Sequence, residues 1–287
     1  MAYKRILTIQ DISCVGQCSM TVALPILSAC GHETCILPTA LLSTHTGGFG
    51  KPAVIHLEHT LEDMWNHWQK NNITFDAILV GYLGSAAAIE MTERILEQML
   101  APDGISIVDP AMGDHGKLYS GFDGPYAQAM EALCRKADII LPNITEAAIL
   151  AGFPYREELS EAYVQDLLHT LRHGCVILTG VSYRDGETGA AIYRDGRVSH
   201  CHHPKVGKSY HGTGDMFAAC FTGALMQEKS LEESVKIAGD FVRKAIENTM
   251  AAPAHWYGVK FETALPDLIR MLQNKEKPVL NWPQSWK

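Results

Sequence analysis

Short apolar runs alternate with longer amphipathic segments along most of the chain, and this alternation limits the available folds more than any other feature. Arg5 to Ile9, Thr34 to Leu37, Ala77 to Val80, Ser106 to Val108, Ile139 to Leu141 and Val176 to Leu178 are short and apolar, as strands covered on both faces are. Between two of them, Leu57, Leu61, Met64, Trp65 and Trp68 recur at helical spacing from Leu57 to Lys70. Further helices are predicted over Cys18 to Ala29, Ala86 to Leu100, Tyr126 to Lys136 and Leu159 to Arg172. A repeated β-α pattern gives a mostly parallel sheet with helices on both faces, an α/β fold. Ala190 to Tyr193 and Arg197 to His200, joined by the turn pair Asp195-Gly196, are predicted as an antiparallel hairpin at the sheet edge. Helices over Gly212 to Met226, Leu231 to Met250 and Phe261 to Leu272 fill the last third. No repeat or Pro-, Gly- or Ser-rich linker breaks the pattern, so a single domain over residues 1–287 is expected, with its core at 4–272 and a tail at 273–287.

Charge and cysteine content exclude several functions. Lysine and arginine number 24 against 32 aspartates and glutamates, a net charge of -8, the reverse of what bulk nucleic-acid or anionic-membrane binding requires. Ile12 to Gly31 lacks formal charge but holds Gly16, Gln17, Ser19 and Pro25, unlike a membrane span. Ile6 to Ile9 is too short for a signal-peptide core, so a cytoplasmic protein is expected. The eight cysteines form no Cys-x-x-Cys pair and read as reduced thiols. Cys201-His202-His203 has no second ligand pair at recognised spacing, so zinc is not expected there, and the two histidines read as solvated strand residues.

The common nucleotide and hydrolase signatures are missing. There is no Gly-x-x-x-x-Gly-Lys-Ser/Thr, Gly47-Gly48-Phe49-Gly50 does not fit the dinucleotide spacing, and no Gly-x-Ser-x-Gly elbow occurs. Gly212-Thr213-Gly214-Asp215 instead opens an apolar helix. Glycines there let backbone N–H groups approach an anion, and the helix dipole favours negative charge at the same place. Asp215 then either accepts a proton from an attacking hydroxyl or merely stabilises the helix end. Asp109-Pro110-Ala111-Met112-Gly113-Asp114 and Asn143-x-x-Glu146 each follow a buried strand, at the sheet edge where α/β folds bind ligands. Asn143 with Glu146 also reads as a helix capping box. Three carboxylates, Asp109, Glu146 and Asp215, thus converge beside an anion-holding helix, a combination suited to Mg2+ and a polyphosphate.

In this order, Asp109-Pro110-x-Met112-Gly113, Asn143-x-x-Glu146 and Gly212-Thr213-Gly214-Asp215 resemble the ribokinase superfamily in its vitamin-kinase branch. Ile9-Gln10, Gly16, Ser43-Thr44-His45-Thr46-Gly47 and Gly81-Tyr82-Leu83-Gly84-Ser85 resemble the pyridoxal kinases more specifically, and the likeness runs from residue 4 to residue 272. The resemblance implies a ribokinase-like three-layer α/β/α sandwich and transfer of phosphate from ATP to the 5′-hydroxymethyl group of pyridoxal, pyridoxine or pyridoxamine. By the same resemblance Asp215 matches the general base, and the N–H groups of Gly212, Thr213 and Gly214 match an anion hole. Asp109 and Glu146 match positions organising Mg2+ and ATP, with Asn143 and Thr179 beside ATP and Tyr119 in a flap over the phosphates. Thr46 and Tyr82 match vitamin-side positions. Asp11 stands where many pyridoxal kinases have a serine on the pyridine ring, and Gly180 replaces a lysine or serine facing ATP, which leaves Thr179 as the contact. A homodimer is implied, and a monovalent cation such as K+ is a further option. The rivals are a hydroxymethylpyrimidine (phosphate) kinase and a catalytically silent nucleotide- or vitamin-binding protein.

Overall fold

The computed structural model describes residues 2–207, 210–252 and 254–273. The part of the expected tail from 274 to 287 lies outside the described residues. The first half contains β1 (Arg5–Ser13), α1 (Met20–Ala29), β2 (Glu33–Leu42), β3 (Val54–His56), α2 (Glu58–Lys70), β4 (Phe75–Val80), α3 (Ala86–Met99), β5 (Leu100–Val108), β6 (Gly113–Asp114), β7 (Lys117–Leu118) and α4 (Gly124–Lys136). The second contains β8 (Ile139–Ile140), α5 (Ile144–Ala151), α6 (Glu161–Leu171), β9 (Cys175–Val181), β10 (Glu187–Arg194), β11 (Arg197–Pro204), α7 (Thr213–Met226), α8 (Leu231–Met250) and α9 (Leu265–Gln273), the last entered through a 3-10 turn at Phe261–Ala264.

Nine strands form one sheet in the order β11-β10-β9-β8-β5-β4-β1-β2-β3. The pairs from β9 through β8, β5, β4 and β1 to β2 are parallel. The β10–β11 hairpin and the short β3 add antiparallel edges. Period-two alternation explains why the strands read as unbroken apolar runs: Ala77, Leu79, Ile177, Ala190 and Ile192 face one core, and Ile78, Val80, Val176, Leu178 and Ala191 the other. The first core is closed by α1, α7, α8 and α9, the second by α2 to α6, giving three layers.

Three expectations change. β1 continues past Ile9 through Asp11 to Ser13, because a register shift between Gln10 and Ile12 accommodates polar residues in a buried strand. β3 and the two-residue strands β6 and β7 carry too little pattern to be predicted. α1 starts at Met20 rather than Cys18, since the backbone of Ser19 (φ 53°, ψ -127°) lies outside any helical conformation. The chain leaves β1 for β2 on one side and later lays β4 on the other, so β1 and β4 flank the switch point where open α/β sheets bind ligands.

Candidate active site

The predicted residues lie at the C-terminal ends of five adjacent parallel strands. Asp11 is near the end of β1, Tyr82 follows β4, Asp109 follows β5, Asn143 and Glu146 follow β8, and Thr179 is in β9. Gly212 to Asp215 approach from the next layer at the start of α7, which is buried along almost all its length.

Two loops interlock to place Asp215. Gly212 caps α7 at φ 82°, and a Cβ there would lie 2.0 Å from the Gln17 carbonyl oxygen, so only glycine fits. Ser19, buried at the start of α1, donates its backbone N–H to Asp215 Oδ2 at 2.9 Å. Two helix N-termini therefore meet at this carboxylate. Burial still dominates: it raises the Asp215 carboxyl to about 6, against the Ser19 N–H, which lowers it, and with the Asp11 charge, which raises it. A carboxylate held near neutrality suits proton acceptance.

Glu146 is 2% exposed and accepts backbone N–H bonds from Asn143 (2.9 Å), Met112 (3.0 Å) and Gly113 (3.4 Å). The first belongs to the capping box of α5, completed by the Glu146 N–H donating to Asn143 Oδ1 at 3.0 Å. Asn143 Nδ2 donates to the Gly113 carbonyl, so the Asn143 amide is engaged in structure on both sides. Burial lifts the Glu146 carboxyl to about 7 despite these donors. Asp109 is raised well above its ordinary range by burial, Glu146 and Asp215; its Oδ1 accepts from the Ala111 N–H, and its Oδ2 accepts nothing among the described residues. This excess of carboxylate beside an unpartnered oxygen fits a cation at Asp109. Glu146, with both oxygens taken by N–H donors, fits only through an intervening water. No three His, Cys, Asp or Glu among the described residues form a metal cluster by themselves, so such a cation would also need oxygens from a ligand.

Two cavities meet here. One of about 150 Å³ is lined by Asp109, Tyr119, Asn143, Glu146, Gly214 and Asp215 among others. The other, about 430 Å³, runs from Thr179 and Gly212 to Gly214 towards β10, β11 and α8. Asn143, Thr179, Gly212, Gly214, Phe217 and Tyr119 line both. Tyr119 sits on the loop after β7, where burial and the charges of Glu146, Asp109, Asp114 and Asp215 all raise its phenol.

Asp11 and Tyr82 belong to neither cavity lining, but Asp11 lies near enough to both Asp215 and Tyr82 for its charge to raise each of them. Thr46 is exposed on the loop after β2 and lines neither cavity. His203, expected as a solvated strand residue, instead lines the larger cavity with its ring against Gly239, while His202 points outward beside His200 and Tyr183. Sequence reasoning missed Ser19 and the neighbouring His45–His211 contact, with ring centroids 5.5 Å apart. A buried serine N–H leaves no compositional trace.

The fold is that of a family of small-molecule kinases. The profile of the phosphomethylpyrimidine kinase family matches residues 26–259. The pyridoxine/pyridoxal/pyridoxamine kinase of Bordetella avium is 30% identical over 260 residues, 86% of each chain. The crystal structure of pyridoxal kinase from Lactobacillus plantarum superposes with a TM-score of 0.87 at 35% identity, covering 93% of this chain and 97% of the other. A Bacteroides thetaiotaomicron protein solved in a crystal form with pyridoxal gives 0.86 at 34% identity, covering 92% and 95%. The chain belongs to the phosphomethylpyrimidine kinase family, in the ribokinase superfamily.

Proposed function

We propose that this chain transfers the γ-phosphoryl group of ATP to the 5′-hydroxymethyl group of pyridoxal, pyridoxine or pyridoxamine. The observation that carries the reading is the position of Asp215: it lines the smaller cavity, which shares Gly212 and Gly214 with the larger one, and it lies within reach of the charge of Asp11. Kinship with a protein solved with pyridoxal supports the choice of alcohol.

In this reading ATP occupies the larger cavity, with its phosphates reaching Asp109 and Gly214. Backbone N–H groups of Gly212, Thr213 and Gly214 stabilise charge on the transferring group, and Asp215 takes the proton of the attacking hydroxyl. Asp109 would hold Mg2+ and Glu146 would act on it through water; when bound, the ion would neutralise charge on the phosphates. Asn143 keeps the Gly113 loop in place, and Thr179 and Tyr119 wall the phosphate region. Tyr82 flanks the vitamin ring, Asp11 meets its edge, and Thr46 serves its substituents. One kinase domain, assembled as a cytoplasmic homodimer, completes the proposal; among the described residues no helix is long and apolar enough to cross a membrane.

The second reading, phosphorylation of hydroxymethylpyrimidine, is favoured by the family to which the chain belongs. Steady-state kcat/KM for the three B6 alcohols and for the pyrimidine alcohol separates the two. The B6 reading expects at least one B6 alcohol to win clearly, and a large preference for the pyrimidine overturns it. Absence of ATP turnover with every alcohol would revive a purely binding role.

A further inference from the structure

Another cavity, of about 390 Å³, lies at the opposite end of the sheet, where β8 and β9 begin and the β10–β11 hairpin turns, and it shares no lining residue with the two cavities of the active site. Three arginines, Arg135, Arg172 and Arg194, line it in a chain whose net charge is -8. Arg135 stands in the last turn of α4 and Arg172 caps α6, places where basic side chains offset the carbonyl ends of helices. That account does not extend to Arg194, which belongs to β10 and ends no helix. Arg172 also sits in the left-handed region (φ 50°, ψ 36°), where glycine is the usual helix stop, and its side chain has no carboxylate partner among the described residues. Arg135 pairs with Glu131, and Arg194 with the exposed Asp195 at 3.6 Å, and ion pairs open to water are worth little. The cavity walls are fixed: His173 Nε2 donates to the Ala137 carbonyl at 2.8 Å and Nδ1 accepts from the Cys175 N–H at 3.2 Å, so the ring clips the start of β8 to the start of β9. Asp138 Oδ2 accepts from the Ser106 N–H at 2.8 Å and hydroxyl at 2.7 Å, while Oδ1 accepts nothing among the described residues. The N–H groups of His173 and Gly174 likewise donate to nothing among them.

We infer that this cavity binds a compact phosphate monoester carrying hydroxyl groups, its phosphate paired with Arg135, Arg172 and Arg194 and its hydroxyls donating to Asp138 and Asp195. Guanidinium forks match phosphate oxygens two at a time, which a scatter of lysines does not. Two carboxylates on the same walls repel a bare anion but suit the hydroxyl donors of a polyol. No phenylalanine, tyrosine or tryptophan lines the cavity, so it offers no platform to a nucleobase or a pyridine ring. Its volume falls in the range of small-molecule pockets and exceeds what a lone phosphate fills. The inference does not depend on the reaction proposed above.

The test is calorimetry of the full chain with glucose 6-phosphate, inorganic phosphate and glucose, in excess Mg2+ and ADP so that the nucleotide cavity does not compete for phosphate. It is repeated with Arg172→Gln and Arg194→Gln, each checked for native circular dichroism and for unchanged ADP binding. In wild type, glucose 6-phosphate should saturate a single site with a Kd of about 1 mM or tighter, inorganic phosphate should bind more weakly, and glucose should not bind. Each variant should weaken glucose 6-phosphate by about 10- to 100-fold, the scale of a lost hydrogen bond between charged groups. Equal binding by wild type and both variants would place the anion elsewhere and overturn the inference. A titration that never saturates would overturn it too and return Arg135 and Arg172 to capping helices. Inorganic phosphate binding as tightly as glucose 6-phosphate would overturn the hydroxyl contacts to Asp138 and Asp195.

Discussion

Glu146→Gln separates the two demands placed on one side chain. Glu146 ties the Asn143, Met112 and Gly113 N–H groups through two oxygens, whereas glutamine offers one acceptor oxygen and turns an NH2 group towards a backbone donor. Leaving such an N–H unpaired costs about 1–3 kcal/mol at any pH. Opposing this is the cost of burying charge. A carboxyl raised from 4.5 to about 7 binds more proton in the folded than in the unfolded chain, so folding loses stability as pH rises through that window. Between about pH 5 and pH 8 the loss from this group is on the order of a few kcal/mol, and glutamine abolishes it. Removing the Glu146 charge also eases ionisation of Asp109, in the same direction. Urea unfolding followed by tryptophan fluorescence should show the variant less stable at pH 5, with its deficit shrinking or reversing by pH 8. Parallel pH dependence in the two proteins would show that Glu146 does not titrate there. A Mg2+ titration of turnover on the same variant should demand more metal; an unchanged curve would return Glu146 to a purely capping role.

Asp215→Ala should lower kcat by about 10²–10⁴ with little change in ATP affinity by calorimetry, and near-normal turnover would show that another group takes the proton. Because burial holds the Asp215 carboxyl at about 6, wild-type kcat/KM should fall as pH drops below that value. A profile flat to pH 5 would refute the assignment. Gly212→Ala, which sets a methyl group against the Gln17 carbonyl at a φ of 82°, should destabilise by roughly 1–3 kcal/mol and cost most of the activity; an alanine variant of normal Tm and rate would mean the two loops do not interlock.

Much of this arrangement was legible because buried parallel strands and capping boxes write themselves into short stretches of sequence. The apolar runs mark all the parallel strands, and Asn143 with Glu146 marks the start of α5. Asp195-Gly196 likewise marked the edge hairpin. What escaped depends on contacts between distant segments. Gln10 and Asp11 look like a loop, yet the register shift keeps them in β1. Ser19 reaches Asp215 by a backbone N–H that any residue type could supply, across 196 positions of sequence. His203 reads as solvated from sequence because the alternation of β11 alone does not reveal that α8 covers one of its faces. The glycine-rich turn was recognisable, but its dependence on Gln17 was not.

That dependence bears on how activity is born. The carboxylate and the N–H that holds it come from opposite ends of the chain, so no nascent fragment shorter than α7 can contain an assembled site. A break at the exposed Asp195-Gly196 turn would leave Ser19 on one piece and Asp215 on the other. Each piece alone would lack one half of the Ser19–Asp215 contact. The chain carries within its own topology the logic of a split reporter.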